Sequence, residues 1–265
     1  MRCIAIFGIT GRMGQTLIRA LNETSSGFRL SGAVASAGSS RLGQDAAGEG
    51  APTGVAITSD PVQGLRGASV AVDFSVGSGV AAHAGDCAAA GVPLLIGTTG
   101  FDEGALRAIE QAARKIPVLI APNTSVGVSV VAQLVATAAS ALGPSYDVEI
   151  FEAHHRMKRD APSGTALALG KAVADARGQT LEQVAVHDRT ALNAPRAPGA
   201  IGFSSLRAGD IVGEHTVTFA TAGERVEITH RATDRITFAR GALRAADWLA
   251  GQPAGLYGMK NVLGL

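Results

Sequence analysis

Arg2-Cys3-Ile4-Ala5-Ile6-Phe7-Gly8-Ile9-Thr10-Gly11-Arg12-Met13-Gly14-Gln15-Thr16-Leu17-Ile18-Arg19-Ala20-Leu21 opens the chain, and its reading decides the fold. Arg2 to Phe7 is a short, mostly apolar run, the pattern of a parallel strand buried on both faces. Gly8 to Gly14 follows at once, and Gln15 to Leu21 then reads as a helix with Leu17, Ile18 and Leu21 on one face. Strand, glycine loop and helix in that order turn a glycine pattern into a dinucleotide-binding expectation, with pyrophosphate at the helix N-terminus. The spacing here is G-x-x-G-x-x-G, not the commoner G-x-G-x-x-G. The same glycines would also serve a tight βα turn that holds nothing, so their place at the first strand carries the weight.

Outward from this unit, the first half alternates strand and helix. Phe28 to Val34 reads as the second strand, and Ala35 to Gly54, rich in Gly, Ser and Ala, as a loop. Val70 to Phe74 is a strand, and Val80 to Ala90 a helix stopped by Gly91. Pro93 to Ile96 runs into Gly97-Thr98-Thr99-Gly100, Leu106 to Lys115 is helical, and Val118 to Ala121 runs into Pro122-Asn123-Thr124-Ser125. The alternation predicts an α/β, Rossmann-like doubly wound parallel sheet. Ligands of such sheets sit beyond the carboxyl ends of the strands. Three of those ends carry small or hydroxylated residues, although loops favour such residues anyway.

After Val126 the pattern changes. Val128 to Leu142 reads as a helix ended by Gly143-Pro144, and Asp147 to Glu152 as a strand. Gly164 to Arg177 is a helix that ends at Gly178; Gln179 to Ala200, with Pro195 and Pro198, shows no period and reads as a long loop. Hairpin signals follow: Phe203 to Arg207, a turn at Ala208-Gly209-Asp210, Ile211 to Ala220, a turn at Ala222-Gly223-Glu224, and Arg225 to His230. Ile236 to Leu249 is a closing helix. This half is a smaller α+β domain.

Glu152-Ala153-His154-His155-Arg156-Met157-Lys158-Arg159-Asp160-Ala161-Pro162-Ser163-Gly164-Thr165 carries the chemistry. Pro162 and Ser163 are helix-opening residues. A helix N-terminus attracts anions, so with Lys158 and the His pair this run suits a carboxylate or phosphate. It also holds groups that move a proton near neutral pH. A solvated basic loop is the plainer alternative, but such a loop has no use for Gly164-Thr165 at the helix start. His154 and His155, adjacent on an extended chain, point apart and suit different roles. Arg156 and Arg159 read as surface residues, and His215 and His230 as structural ones.

Composition narrows the classes. The 265 residues carry a net charge of +1, which gives no reason to expect nucleic acid or an anionic membrane as partner. The two cysteines, Cys3 and Cys87, give neither a disulfide framework nor a metal-ligand spacing; no metal is expected, and a reducing cytosol is. The first strand is too short for a signal-peptide core, and no apolar run looks long enough to span a bilayer.

Taken together, these residues resemble the 4-hydroxy-tetrahydrodipicolinate reductase (dihydrodipicolinate reductase) family over nearly the full length. The resemblance rests on Gly8 to Gly14, on Gly97-Thr98-Thr99-Gly100-Phe101, on Asn123 to Val128, and above all on E-x-H-H-x-x-K-x-D-x-P-S-G-T from Glu152 to Thr165. Arg207 to His215 and Gly255-Leu256-Tyr257 match as well. It implies NAD(P)H-dependent reduction of a cyclic dicarboxylated imine in lysine and diaminopimelate biosynthesis, by a cytoplasmic homotetramer assembled through the second domain. It implies a dinucleotide-binding domain of residues 1–126 and 237–265, the last helix packing back on it, and a substrate-binding and oligomerisation domain of residues 127–236.

By the same resemblance, His154 matches the proton donor/acceptor and Lys158 the proton donor, while His155, Gly164 and Thr165 match substrate-binding positions. Gly8, Ile9, Thr10, Gly11, Arg12 and Met13, then Gly97, Thr98 and Thr99, then Pro122, Asn123, Thr124 and Ser125, match contacts to NADPH or NADH. One departure stands out. Ala35-Ser36 occupies the end of strand two, where many members carry an acid for the adenosine ribose. Ser36 and Arg41 then become candidates for a 2′-phosphate, and the cofactor preference stays open.

Two rivals remain at this point. Another Rossmann oxidoreductase of the aspartate pathway fits the carboxylated substrate. An acylating semialdehyde dehydrogenase needs a nucleophilic cysteine, and neither Cys3 in a strand nor Cys87 in a helix is placed for that. A non-enzymatic nucleotide-sensing protein would need a partner surface that neither charge nor motif suggests.

Overall fold

A computed structural model describes residues 1–23, 27–190 and 193–265. The strand that opens the chain explains its own composition. In β1 (Arg2–Phe7), Ile4 and Ile6 point to one side and Ala5 and Phe7 to the other, and all four are fully buried. Neither face meets water, so the run has no polar alternation.

The elements then follow in order: α1 (Arg12–Leu21), β2 (Phe28–Val34), β3 (Ile57–Thr58), α2 (Pro61–Leu65), β4 (Val70–Asp73), α3 (Val80–Ala90), β5 (Leu94–Ile96), α4 (Glu103–Ala113) and β6 (Pro117–Ile120). Next come α5 (Val126–Leu142), β7 (Asp147–His154), α6 (Gly164–Ala176), α7 (Leu181–Val184), β8 (Ala185–Val186), β9 (Ile201–Arg207), β10 (Gly213–Thr221) and β11 (Glu224–Ala232). The chain closes with α8 (Ile236–Leu249), β12 (Gly255–Tyr257) and α9 (Met259–Leu263).

The chain divides into two compact units, Met1–Val126 with Arg235–Leu265, and Gly127–Asp234. The first holds a parallel sheet in the order β12-β6-β5-β4-β1-β2-β3. On one side Ile4 and Ile6 pack with Leu17 and Ile18 of α1 and with Ala239 and Ala242 of α8. On the other, Ala5 and Phe7 pack with Val80, Ala84 and Cys87 of α3 and with Ile109 of α4. This is the doubly wound α/β arrangement read from the sequence.

The second unit is a mixed sheet in the order β11-β10-β7-β9-β8. Val148 and Ile150 of β7, with Val217 and Phe219 of β10, pack under Val131 and Val135 of α5 and Leu169 and Val173 of α6. The opposite face leaves Phe151 and Leu206 exposed.

Several expectations are corrected. Phe203 to Arg207 and Ile211 to Ala220 do not form a hairpin: β7 lies between β9 and β10, parallel to the first and antiparallel to the second. A strand's polar pattern is the same whichever neighbour it takes, so only the β10–β11 hairpin was legible. The loop from Gln179 to Ala200 contains α7 and β8, short enough to lack a period; its residues 191–192 lie outside the described residues. α4 starts earlier than Leu106, because the Asp102 carboxylate caps the Ala105 N–H at 2.8 Å. α1 starts at Arg12 rather than Gln15, and β3, α2, β12 and α9 went unread. Helix Val126–Ser145 is, by length and composition alone, long and apolar enough to cross a membrane, with mean hydropathy 1.7. The expectation of no such run failed because Ser129, Gln133 and Thr137 interrupt the apolar residues, yet the mean over the helix stays at 1.7. In this unit Val131, Val135 and Ala139 of the helix face the sheet.

Two helical glycines make opposite predictions. A Cβ on Gly241 of α8 would lie 1.9 Å from the Thr124 carbonyl oxygen, whereas one on Gly85 of α3 would meet nothing within 4 Å. Gly241→Ala should cost about 1–3 kcal/mol through overpacking. Gly85→Ala should add about 0.5–1 kcal/mol by limiting the unfolded chain. Urea unfolding of both variants against wild type checks the two signs.

Candidate active site

In the second unit, β7 places Glu152 and His154 on one face, two residues apart. Glu152 is fully buried. Arg207 of β9 approaches it as a fork, Nη1 to Oε2 at 2.9 Å and Nη2 to Oε1 at 2.6 Å. The Ser163 N–H donates to Oε1 at 3.2 Å, and His154 Nδ1 lies 2.6 Å from Oε2. Burial pushes the Glu152 carboxyl up, but the Arg207, Ser205 and His154 hydrogen bonds outweigh it and hold the group down to about 2. An ionised carboxylate only accepts, so His154 Nδ1 carries the proton and Nε2 faces away from Glu152. A Cβ on Gly213 would stand 3.1 Å from that Nε2, so glycine there keeps the nitrogen open.

Burial lowers the His154 proton affinity, and the charges of Lys158 and Arg207 lower it further against the raising effect of Glu152. Lys158 is mostly covered, its Nζ 2.9 Å from Asp160 Oδ2. Arg207 Nη2 also donates to the Asp160 carbonyl at 2.6 Å, which straps the basic loop to the strand end. Ser163 Oγ caps α6 by accepting from the Ala166 N–H, so the helix N-terminus begins at Gly164. A Cβ on Gly164 would meet nothing within 4 Å, so the space above it is open to a ligand. His155 follows directly on the end of β7.

Behind these, the buried His215 of β10 places Nε2 3.0 Å from Ser163 Oγ, its ring edge-on to His154 at 5.1 Å. Its Nδ1 is buried without a hydrogen-bond partner among the described residues. Burial, then the neighbouring His154, pushes His215 down to about 4.

Glu152 and Ser163 lie inside the run read as carrying the chemistry, and Arg207, Gly213 and His215 inside a matching stretch, but none of them had been assigned a role at the site: Ser163 was read only as opening the helix and His215 as structural. The signal for Glu152 was present: it is an acid on the strand face that carries Val148, Ile150 and His154.

In the first unit, Gly8 adopts φ +75°, and a Cβ there would lie 2.5 Å from the Phe74 carbonyl oxygen. A Cβ on Gly14 would lie 2.5 Å from the Gly8 and Ile9 carbonyls. No side chain caps α1 at Gly11, which leaves its N-terminal amides to an anion. Beside the loop is a cleft of about 430 Å³, lined by Gly8, Thr10, Gly11 and Ser36 among the anticipated residues. This cradle fits a dinucleotide: close backbone approach, an uncapped helix start and an open groove at the strand ends.

The other anticipated cofactor residues fall into groups. Ile9 is fully buried, and Arg12 and Met13 stand in the first turn of α1. Gly97 lies against the Phe74 ring, 2.1 Å from where a Cβ would be. The Thr98 hydroxyl donates to Asp73 Oδ1 at 2.9 Å, and Thr99 follows it beyond β5. In the turn Pro122 to Ser125, Asn123 Oδ1 accepts from the Ser125 N–H at 2.9 Å, and Thr124 Oγ1 donates to the Phe238 carbonyl at 2.7 Å. Arg41 does not line the cleft; its Nη2 donates to the Asp45 and Ala46 carbonyls at 3.3 and 3.4 Å.

Comparison with known proteins converges. Residues 2–124 match the family model of dihydrodipicolinate reductase, N-terminus, and residues 127–263 that of dihydrodipicolinate reductase, C-terminus. The chain is 51% identical to the 4-hydroxy-tetrahydrodipicolinate reductase of Anaeromyxobacter dehalogenans, covering 100% of this chain and 98% of that protein. It is 51% identical to that of Thiobacillus denitrificans over 99% of this chain and 98% of the other. A dipicolinate-bound dihydrodipicolinate reductase from a Paenisporosarcina species superposes with TM-score 0.76 at 24% identity, covering 98% of this chain and 99% of that one. An amine dehydrogenase from Mycobacterium smegmatis gives TM-score 0.65 at 14% identity over 96% and 94%. At these identities the two structures speak for the fold alone.

The buried groups predict an acid-sensitive unit. His215 is held at about 4 in the fold against an ordinary 6.5, so the unfolded chain takes its proton first as pH falls. Stability from this ring is therefore full above 6.5 and drains away between 6.5 and about 4. Glu152, at about 2 against 4.5, contributes above 4.5 and is lost from there down to about 2. Tm should fall by roughly 5 °C or more across the upper window, and His215→Gln should flatten that part of the curve. Calorimetry across pH checks it.

Proposed function

The chain belongs to the dihydrodipicolinate reductase family, and on that premise we propose how its residues divide the work. The protein reduces 4-hydroxy-tetrahydrodipicolinate, by way of dihydrodipicolinate, to tetrahydrodipicolinate with NADPH or NADH, in lysine and diaminopimelate biosynthesis. What supports the division of roles is one observation: His154 is fixed by Nδ1 to an ionised Glu152, with Nε2 turned to the space that Gly213 leaves free.

The bound cofactor supplies the hydride. Hydride addition to a conjugated imine drives an electron pair to the far end of the π-system, where a positive or acidic group stabilises it and returns a proton. Lys158 donates that proton, and His154 gives or takes one at Nε2. Glu152 acts through His154 as a positioning residue that holds the ring in one tautomer. The α6 amides at Gly164 and Thr165, with the Thr165 hydroxyl, take one substrate carboxylate, and His155 or Lys158 the other.

Gly8 to Met13, Gly97 to Thr99 and Pro122 to Ser125 would hold the cofactor. The Thr98 and Thr124 hydroxyls are bonded to the protein, so the backbone of their loops serves the cofactor. Ser36 faces the cleft, and Arg41 steadies the loop beside it. The partner is a small dicarboxylate, not nucleic acid or a membrane. The exposed sheet face around Phe151 and Leu206 suits assembly into a homotetramer, and the unpaired Cys3 and Cys87 suit the cytoplasm.

Lys158→Ala and His154→Ala should each lower kcat about 10²–10⁴-fold and leave NADPH affinity, read by fluorescence titration, unchanged. Turnover near wild type in either variant would overturn that assignment. With Ala35-Ser36 after β2, no carboxylate repels a 2′-phosphate, so NADPH should be used at least as well as NADH. An NADH advantage in kcat/KM above roughly tenfold, ~1.4 kcal/mol, would count against this.

A further inference from the structure

A second buried carboxylate organises the first unit. Asp73, the last residue of β4, is fully buried. It accepts from the Ser75 N–H at 2.8 Å, from the Thr98 hydroxyl at 2.9 Å and from His83 Nδ1 at 2.8 Å. Burial pushes this carboxyl up, and its bonds to His83 and Ser75 bring it below the ordinary value. His83, in the first turn of α3, stacks on the Phe7 ring at 4.2 Å and is therefore held from two directions. Phe7 of β1 and Asp73 and Ser75 at the end of β4 are the groups that face it.

With Nδ1 committed to Asp73, Nε2 is the atom left for a ligand. It makes no hydrogen bond among the described residues, and the side chain keeps 18% of its surface exposed in the dinucleotide cleft. Among the described residues that line that cleft, His83 alone is ionisable. The same cleft carries Ala35 and Ser36, which bring no charge, and Arg41 stands outside it. A groove meant for a phosphate-bearing ligand thus has helix amides at one end and a single braced imidazole on its wall.

We propose that His83, braced by Asp73, binds a phosphate of the dinucleotide through Nε2. The inference rests on the reading of this cleft as the cofactor site. In the complex Nε2–H donates a charge-assisted hydrogen bond to the phosphate, while Nδ1–H donates to the Asp73 carboxylate, which balances the charge of the ring. The phosphate is the pyrophosphate or the 2′-phosphate, and the two cofactors separate these sources.

The test is the dissociation constant of NADPH and of NADH, read by quenching of cofactor fluorescence, for wild type, His83→Gln and His83→Asn. All measurements are made at one pH, about 7.5, above the second phosphate ionisation near pH 6. Both variants should weaken binding by about tenfold, the loss of one charge-assisted hydrogen bond. Weakening of NADPH alone identifies the 2′-phosphate, and weakening of both cofactors the pyrophosphate. Variants that melt like wild type and bind both cofactors with wild-type affinity would overturn the proposal. A wild type that binds neither cofactor would instead overturn the reading of the cleft.

Discussion

The carboxylate of Glu152 is the constraint on which the second unit turns. A buried charge costs several kcal/mol unless opposite charge and hydrogen bonds meet it. Here they come from three places in the chain: Arg207 of β9, the His154 ring two residues on, and the Ser163 amide across the basic loop. The need to satisfy one acid therefore fixes the neighbour of β7, the orientation of the His154 imidazole and the point at which α6 begins. Removing Arg207 alone would leave an uncompensated buried charge, a far larger loss than the worth of the pair itself.

Asp73 repeats the arrangement in the first unit. It ends its strand, where Glu152 lies two residues short of the end of β7; like Glu152 it bonds a histidine through Nδ1, and it ties down the loop beyond the next strand through the Thr98 hydroxyl. In a parallel sheet the strand ends are where backbone amides lose their ladder partners, so a carboxylate there can collect several donors at once. The two sites differ in what the histidine faces. His154 looks into the space kept by Gly213, and His83 into a groove of small residues.

Much of the parallel sheet was legible because its strands are buried on both faces and its helices are punctuated by glycine: the helix Val80–Ala90 with its left-handed Gly91 stop was read to the residue. The second sheet was less so. Two-residue periodicity says which face a strand buries but not which strand lies beside it, and the β7 insertion between β9 and β10 is a choice of that kind. At the site, the loop motif drew attention to the residues that carry positive charge. Their anchors were hidden for two reasons. Arg207 lies 55 positions from Glu152 and meets it only through the β7–β9 pairing. Glu152 itself shares a strand face with Val148 and Ile150, but nothing near it in sequence says what neutralises an acid there.

The glycines show why a motif alone underdetermines a site. Gly8 is required for its left-handed backbone and for the nearness of the Phe74 carbonyl, so any side chain there strains the turn itself. Gly213 has no such backbone demand; a methyl there would crowd the His154 nitrogen. Gly164 meets neither limit, since a Cβ on it would point into open space. Nothing in the fold thus requires glycine at that position. Under the proposed role, alanine there leaves the fold intact and is felt only by a substrate that comes close to the backbone. That separates Gly164 from the other two: of the three, only its substitution tests the proposed substrate contact without disturbing the protein around it.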